Sequence, residues 1–433
     1  MAPTTPAPGL ARSIRRWDLV GVVLNGVIGA GIFGLPSKVF ALAGTYSLFA
    51  FGLCALCVSF IVLSFAEVAS RFTGSGGPYL YARANYGSLA GFTIGWLVWI
   101  ARITSFAANC SLLPVYLGFF FPGAASGLGR AVIITVVVSL LGVVNVVGVR
   151  PVANASNAFV FGKLLPLAIF VIVGFFFLDP ARFSLAAAPA YRPFAQAVLL
   201  LVYAFTGFEM GVIPAGEVRN PERTLPAALL TGMAIVVTFY VLIQVVCIGT
   251  LPELAASRRP LADAANRFLG AGGAAMITFA IVMSLAGNLN VLILSASRII
   301  FAMGELGDLP PRMAEIHPHY RTPIASVLAT VVVMLALTLS GTFIYLVALS
   351  TISRLVTYFA TCSVLPIMRR KAAHASKVFL MPGGVPIAFI GMAIVIWLLS
   401  NCTLVEVRDT AIALSVGLLF YTLARRAPGL KKG

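Results

Sequence analysis

The sequence predicts an all-α membrane protein with 12 transmembrane helices, and three observations carry that expectation. Of 433 residues, 60% are apolar and only 10% are charged, far from the balance of a soluble domain. The apolar residues come in long blocks, and about 20 such residues at about 1.5 Å rise span the hydrocarbon layer. Segments such as AVIITVVVSLLGVVNVVGV are apolar all round, whereas a barrel strand would alternate over about ten residues. The 12 blocks begin near Trp17, Tyr46, Leu89, Ala131, Ala155, Phe194, Ala227, Ala274, Ile324, Phe343, Ile387 and Thr410.

The leader MAPTTPAPGLARS is rich in Pro, Thr and Ala, so residues 1–15 read as a disordered cytoplasmic N-terminus. No small-residue cleavage site follows Arg16, and the leader is expected to be retained. The first block then carries GVIGAGIFGLP, residues 26–36, with glycines at 26, 29, 31 and 34 and a proline at 36. The sixth carries YAFTGFEM, from Tyr203 to Met210, followed by Gly211 and Pro214. Either break alone is explained by a glycine-mediated helix contact or a kink. Together they fall near the centres of blocks five segments apart, and an odd number of crossings inverts a second copy. Two five-helix halves of opposite orientation are therefore expected, residues 16–178 and 179–371. The last two segments, 372–425, lie outside the repeat, and 426–433 form a cytoplasmic tail.

Irregular backbone at membrane depth is tolerated where it is buried in protein or lines a cavity. A half-helix starting after Gly31 offers free N–H groups to a carboxylate, while carbonyls near Val27 and Ile28, and from Tyr203 to Thr206, suit an ammonium. Pro36 is expected in the first turn of that half-helix.

The net charge of +17 does not indicate nucleic acid, because its distribution follows a membrane rule. With both ends in the cytoplasm, that side receives 18 Lys/Arg, at 12, 15, 16, 71, 83, 150, 219, 223, 312, 321, 369, 370, 371, 377, 425, 426, 431 and 432. The other side receives seven, at 130, 182, 192, 258, 259, 267 and 408, and this bias sets the orientation. All six cysteines fall inside apolar blocks; Cys54 and Cys57 have metal-like spacing but no second ligand pair, so helix packing is the plainer reading and no metal is expected.

Four motifs, spread over nearly the whole length, resemble the amino acid, polyamine and organocation (APC) superfamily of secondary transporters: GVIGAGIFGLP; LSFAEVASRFTGSGGPYLYA; AFTGFE with GEVRNPERTLPAAL; and SRIIFAMGELGDLPPRM with HPHYRTP. The resemblance implies a LeuT-like 5+5 inverted repeat with discontinuous helices 1 and 6, and amino acid transport by alternating access, either proton-coupled or by exchange. It places the substrate carboxylate on the Gly29-Ala30-Gly31 backbone, its amine on carbonyls of the two broken helices, and Phe205 over the bound substrate. Ile28, Tyr203, Thr206, Gly207 and Glu209 complete that candidate substrate site. Phe205 reads equally as a packing aromatic.

Lys163 lies about nine residues, or about 13 Å, into the fifth segment. Resemblance to the proton-coupled branch implies that its amine replaces the ion that sodium-dependent relatives hold there. Burial penalises a charged amine, so a proton can move on and off as the cavity opens to either side. Snorkelling to the interface is the alternative. Arg102 and Arg354 lie near the centres of their segments. With Glu209 they form either an internal charge network or, in one arginine, a recognition group for an acidic substrate. Glu67, beside Ser70 and Arg71, reads as an organiser of the cytoplasmic end, Arg298 as an anchor before a cytoplasmic loop, and Lys38 as interfacial. Asn288 and Asn290 face the cavity or make polar helix contacts.

Other classes fit less well. His317, His319 and His374 all fall in cytoplasmic loops, and no HExxH, GxSxG or paired-carboxylate helix is present, so neither an enzyme nor a cofactor is expected. Long soluble signalling domains would favour a non-transporting amino acid sensor of the same fold, and this sequence shows none. A polyamine or other organic amine has no carboxylate for Gly29 to Gly31, and no selectivity filter marks a channel. The expected partners are an amino acid, the lipid bilayer of a prokaryotic inner membrane, and protons.

Overall fold

The apolar blocks become helices. In chain order these are α1 (Arg16–Val27), α2 (Gly31–Ala43), α3 (Ser47–Ala69), α4 (Pro78–Tyr86), α5 (Ser88–Leu117), α6 (Gly127–Val147) and α7 (Val149–Gly174). There follow α8 (Tyr191–Phe205), α9 (Pro221–Thr250), α10 (Pro260–Glu305), α11 (Ile324–Ser340), α12 (Phe343–Lys371), α13 (Gly384–Leu399) and α14 (Leu404–Arg426). The computed structural model describes residues 9–29, 31–124, 126–185, 188–340, 343–371, 379–402 and 404–426. Among these no β-strand forms. Seven stretches are long and apolar enough to cross a bilayer: Gly31–Ala69, Ser88–Leu117, Gly127–Val147, Val149–Phe177, Pro221–Thr250, Pro260–Glu305 and Ser350–Lys371. Tyr191–Val202, Ile324–Ser340 and Gly384–Leu399 are apolar but shorter.

Several local features depart from the sequence expectation. Within the leader, residues 9–15 are held rather than loose: Ile14 is buried and pairs in parallel with Val218, and Arg321 donates to the Gly9 carbonyl at 2.9 Å through Nε. Residues 1–8 lie outside the described residues. The GSGGPYLYA motif forms its own helix, α4, because Gly76 (φ 129°) and Gly77 (φ 52°) turn the chain and Pro78 sits at the first helical position. The eighth block reaches back beyond Ala274 to Pro260, across a kink where Gly270 has φ 64° and ψ −160°. Pro36 is the sixth residue of α2, one turn later than expected. Beyond the second break no α-helix resumes; the chain runs through two 3-10 turns, Phe208–Val212 and Ala215–Glu217, around Gly211 and Pro214.

Packing sorts the long helices into two groups. α5, α6, α10 and α11 pack on one another; α1, α3 and α9 pack together, as do α2, α3 and α8. α7 lies against α1 and α10, and α12 bridges α5 and α3, with α13 and α14 outside it. Because lipid tails are as apolar as leucine, close packing and polar links hold such helices together.

Buried ion pairs supply several of these links. Arg298 and Glu217 are both fully buried and form a two-point pair, Nε to Oε2 at 3.0 Å and Nη2 to Oε1 at 2.7 Å. Glu67 likewise receives Arg369 at both oxygens and Arg71 at 3.4 Å, tying α3 to α12. Removing one partner of a buried pair strands the other charge, at a cost of about 3–5 kcal/mol. Glu217→Ala is accordingly expected to lower the melting temperature of the purified protein by at least about 5 °C; unchanged melting would remove this pair from the account.

Candidate functional site

α1 ends at Val27, and Ile28 leaves the helix with φ −77° and ψ 84°. The last carbonyls of a helix need donors from elsewhere, and here three other helices supply them. Lys163 on α7 is fully buried and donates from Nζ to the Ile28 carbonyl at 2.9 Å and the Leu24 carbonyl at 3.3 Å. On α10, Ser284 donates to the Ile28 carbonyl at 2.6 Å, and Asn288 donates through Nδ2 to Asn25 at 2.9 Å and Gly26 at 3.0 Å. The Asn288 oxygen accepts from Asn109 on α5 at 2.8 Å. Tyr240 on α9 places its hydroxyl between the two breaks, 3.3 Å from the Val27 carbonyl and 3.2 Å from that of Ala204.

The second break begins after Phe205, where Gly207 adopts φ +109°. Here the two breaks touch through backbone: a Cβ placed on Gly207 would lie 2.2 Å from the Gly26 carbonyl oxygen, and one on Gly26 would lie 2.5 Å from that of Gly207. Glycine is required at both positions by each other. Gly29 and Gly31 differ: a Cβ there meets nothing nearer than 3.8 Å and 3.7 Å, so no protein neighbour demands glycine. Ala30 lies outside the described residues, as does the side chain of Tyr203. Phe205 is fully buried with its ring centroid 5.0 Å from that of Tyr240.

Beside the second break sits a buried charge cluster. Glu209 accepts from the Gly207 N–H at 2.9 Å and the Tyr358 hydroxyl at 2.7 Å, and its other oxygen pairs with Arg102 Nη2 at 2.9 Å. Arg354 donates through Nη1 to Thr206 Oγ1 at 2.7 Å and through Nη2 to Ser105 Oγ at 2.7 Å. It opens on a cavity of about 530 Å³ whose lining includes Thr206, Leu199, Val202, Leu355 and Gln196.

Most of the sequence-derived candidates therefore converge: Ile28, Gly29 and Gly31 with Lys163 and Asn288 at the first break, and Phe205, Thr206, Gly207 and Glu209 with Arg102 and Arg354 at the second. Asn290 does not join them; its Nδ2 donates to the Val152 carbonyl at 3.1 Å and its oxygen accepts from Asn145, stitching α10 to α7 and α6. Lys38 is exposed. The sequence reading missed Tyr240, Ser284, Asn109, Ser105 and Tyr358. Their only signal was a polar atom inside an otherwise apolar run, as in AIVVTFYVLI.

The sequence is similar to known membrane transporters. The family described as amino acid permease matches residues 14–419. The chain is 25% identical to the serine/threonine exchanger SteT of Bacillus subtilis, over 96% of this chain and 98% of that protein. It is 26% identical to the branched-chain amino acid permease BcaP of the same species, over 98% and 96%. Similarity also extends to the methylthioribose transporter of Bacillus subtilis, 25% identical over 97% and 95%. With its long apolar helices the molecule is a multi-pass membrane transporter, not an enzyme. The chain belongs to the amino acid permease family of the APC superfamily.

Proposed function

We propose that this permease moves amino acids across the cell membrane by alternating access, with the zwitterion held between the two breaks. The observation that carries this reading is the pairing of an open α2 N-terminus with two interlocked breaks. Gly29 and Gly31 have room for a methyl at ordinary contact distance from their neighbours, and among the described residues no side chain hydrogen-bonds the N–H groups of Ile32, Phe33 or Gly34. A helix start of this kind attracts a carboxylate. The Ile28 carbonyl already accepts from Lys163 and Ser284, and that of Val27 from Tyr240 and the Gly29 N–H, whereas those of Asn25 and Gly26 accept from Asn288, so a substrate ammonium shares the Asn25 and Gly26 carbonyls through their second lone pairs.

The packing groups support twelve crossings in a 5+5 inverted repeat. In the twelve-segment reading, segments 1, 2, 6 and 7 pack together and segments 3, 4, 8 and 9 pack together, so each group takes matching members from residues 16–178 and 179–371. Segments eleven and twelve, 372–425, are peripheral, and the basic bias supports cytoplasmic termini in an inner membrane. Lys163 couples transport to protons: its amine meets only carbonyls, and a proton gained there strengthens both bonds at the point where α1 must move.

Two measurements test the reading. A thermal-shift panel of the twenty amino acids on the purified permease should show stabilisation by a subset, and those ligands should be taken up by proteoliposomes. Stabilisation without flux would indicate a sensor, and preference for an amine lacking a carboxylate would indicate an organic amine carrier. Gly29→Ala provides the finer check. The added methyl has room, so melting should stay within about 0.5 kcal/mol of wild type, while the KM should rise on the order of tenfold as the methyl enters the space assigned to the carboxylate. An unchanged KM would move the substrate elsewhere.

A further inference from the structure

We infer that the preferred substrate carries an anionic side chain and that Arg354 is the residue that reads it; this rests on the amino acid reading above and names its substrate class. The argument begins with charge. At the second break two guanidinium groups, Arg102 and Arg354, face one carboxylate, Glu209, and Arg102 holds that carboxylate at 2.9 Å. Among the described residues no carboxylate lies within ion-pair distance of Arg354, whose only acceptors are the Thr206 and Ser105 hydroxyls. One positive charge is left over in a site that is almost wholly buried, with Arg354 only 8% exposed. A protonated Lys163 adds to that excess.

Hydrogen bonding leads to the same place. Arg354 Nε is buried with no acceptor, and so are Nε and Nη1 of Arg102. Buried donors are almost always satisfied, and charged ones are the costliest to leave unmade. A guanidinium edge is shaped for a carboxylate. An amino acid with a carboxylate side chain carries one net negative charge, which balances the excess at this break, and its oxygens supply the acceptors that Nε lacks.

The position suits a side chain rather than the α-carboxylate. Arg354 bonds Thr206 within the second break, whereas the open helix start that takes the α-carboxylate belongs to the first. It also borders the 530 Å³ cavity, where Leu199, Val202 and Leu355 lower the local dielectric and so strengthen a charge pair. A second cavity, of about 410 Å³, reaches from Phe33 on α2 to the exposed Arg258 and Arg259, a cationic mouth that would concentrate an anionic solute. Arg102 is not the reader, because Glu209 already balances its charge and it does not line that cavity.

Glutamate and glutamine have nearly the same shape, so comparing them isolates charge. In proteoliposomes of the full-length wild-type permease, glutamate or aspartate should compete for uptake with an apparent KM at least about tenfold below those of glutamine, serine and leucine. Lysine should not compete. In R354Q the ratio of glutamate to glutamine KM should collapse to within about twofold, and R354K should fall between, because an ammonium retains charge but not the fork. Glutamine or serine matching glutamate in the wild type overturns the assignment while leaving amino acid transport intact; this comparison needs no variant, so a misfolded R354Q cannot obscure it. Glutamate preference that survives in a folded R354Q overturns the role of Arg354. Absence of binding and uptake for all twenty amino acids removes the underlying reading as well.

Discussion

Lys163→Ala is expected to abolish concentrative, pH-dependent uptake. A gradient of one pH unit supplies about 1.4 kcal/mol per proton, enough for about tenfold accumulation of a substrate moved with one proton. The wild type should approach that ratio in proteoliposomes, and the variant should stop near unity at any gradient. The loss would come from coupling rather than from stranded backbone. When the amine is removed, the Ile28 carbonyl keeps Ser284 at 2.6 Å and the Leu24 carbonyl keeps the Ile28 N–H at 2.9 Å. What disappears is a titratable tie between α7 and the end of α1. Accumulation near tenfold in Lys163→Ala would exclude this role.

Gly207→Ala should be severely damaging for the addition of a single methyl. Its Cβ would lie 2.2 Å from the Gly26 oxygen and 2.7 Å from the Gly26 carbonyl carbon, so the obstacle is backbone and cannot rotate aside. The φ of +109° adds strain that only glycine avoids. Overpacking of this kind costs about 1–3 kcal/mol, and left-handed backbone about 1–2 kcal/mol more. To relieve the clash the two breaks must separate, which carries Glu209 and Tyr240 out of register with them. Uptake should fall by on the order of 100-fold, with a melting temperature lower by several degrees. The contrast with Gly29→Ala is the informative part: one glycine is required by the protein and the other by the guest. Equal effects of the two substitutions on melting would refute that division.

Much of the helical pattern was legible in the sequence because apolar runs of membrane length have few alternatives. The first break was legible for the same reason: Gly26, Gly29, Gly31, Gly34 and Pro36 are conspicuous in a run that should be continuous. The second was legible as a break but not in its form, since nothing local distinguished a resumed α-helix from the 3-10 turns at Phe208–Val212 and Ala215–Glu217. α4 escaped notice because it is short and only half apolar, and its start depends on the positive φ of Gly76 and Gly77. Depth along the chain revealed Lys163, Arg102 and Arg354, but their partners depended on tertiary contacts. The Ile28 carbonyl lies 135 residues from Lys163, and Ser105 lies 249 from Arg354. Asn288 and Asn290 show the limit most plainly: two residues apart on one helix, they point to different neighbours, one to the first break and the other to α7 and α6.

The central claim is that two severed helices share one small zwitterion. A cryo-EM map of the permease with the amino acid that gives the largest thermal shift, at saturating concentration, tests it most directly. The account predicts ligand density with its α-carboxylate about 3 Å from the N–H groups that open α2 and its amine against carbonyls of both breaks. Density lying wholly outside the space between Ile28 to Gly31 and Phe205 to Gly207, or helices running unbroken through those residues, would contradict it.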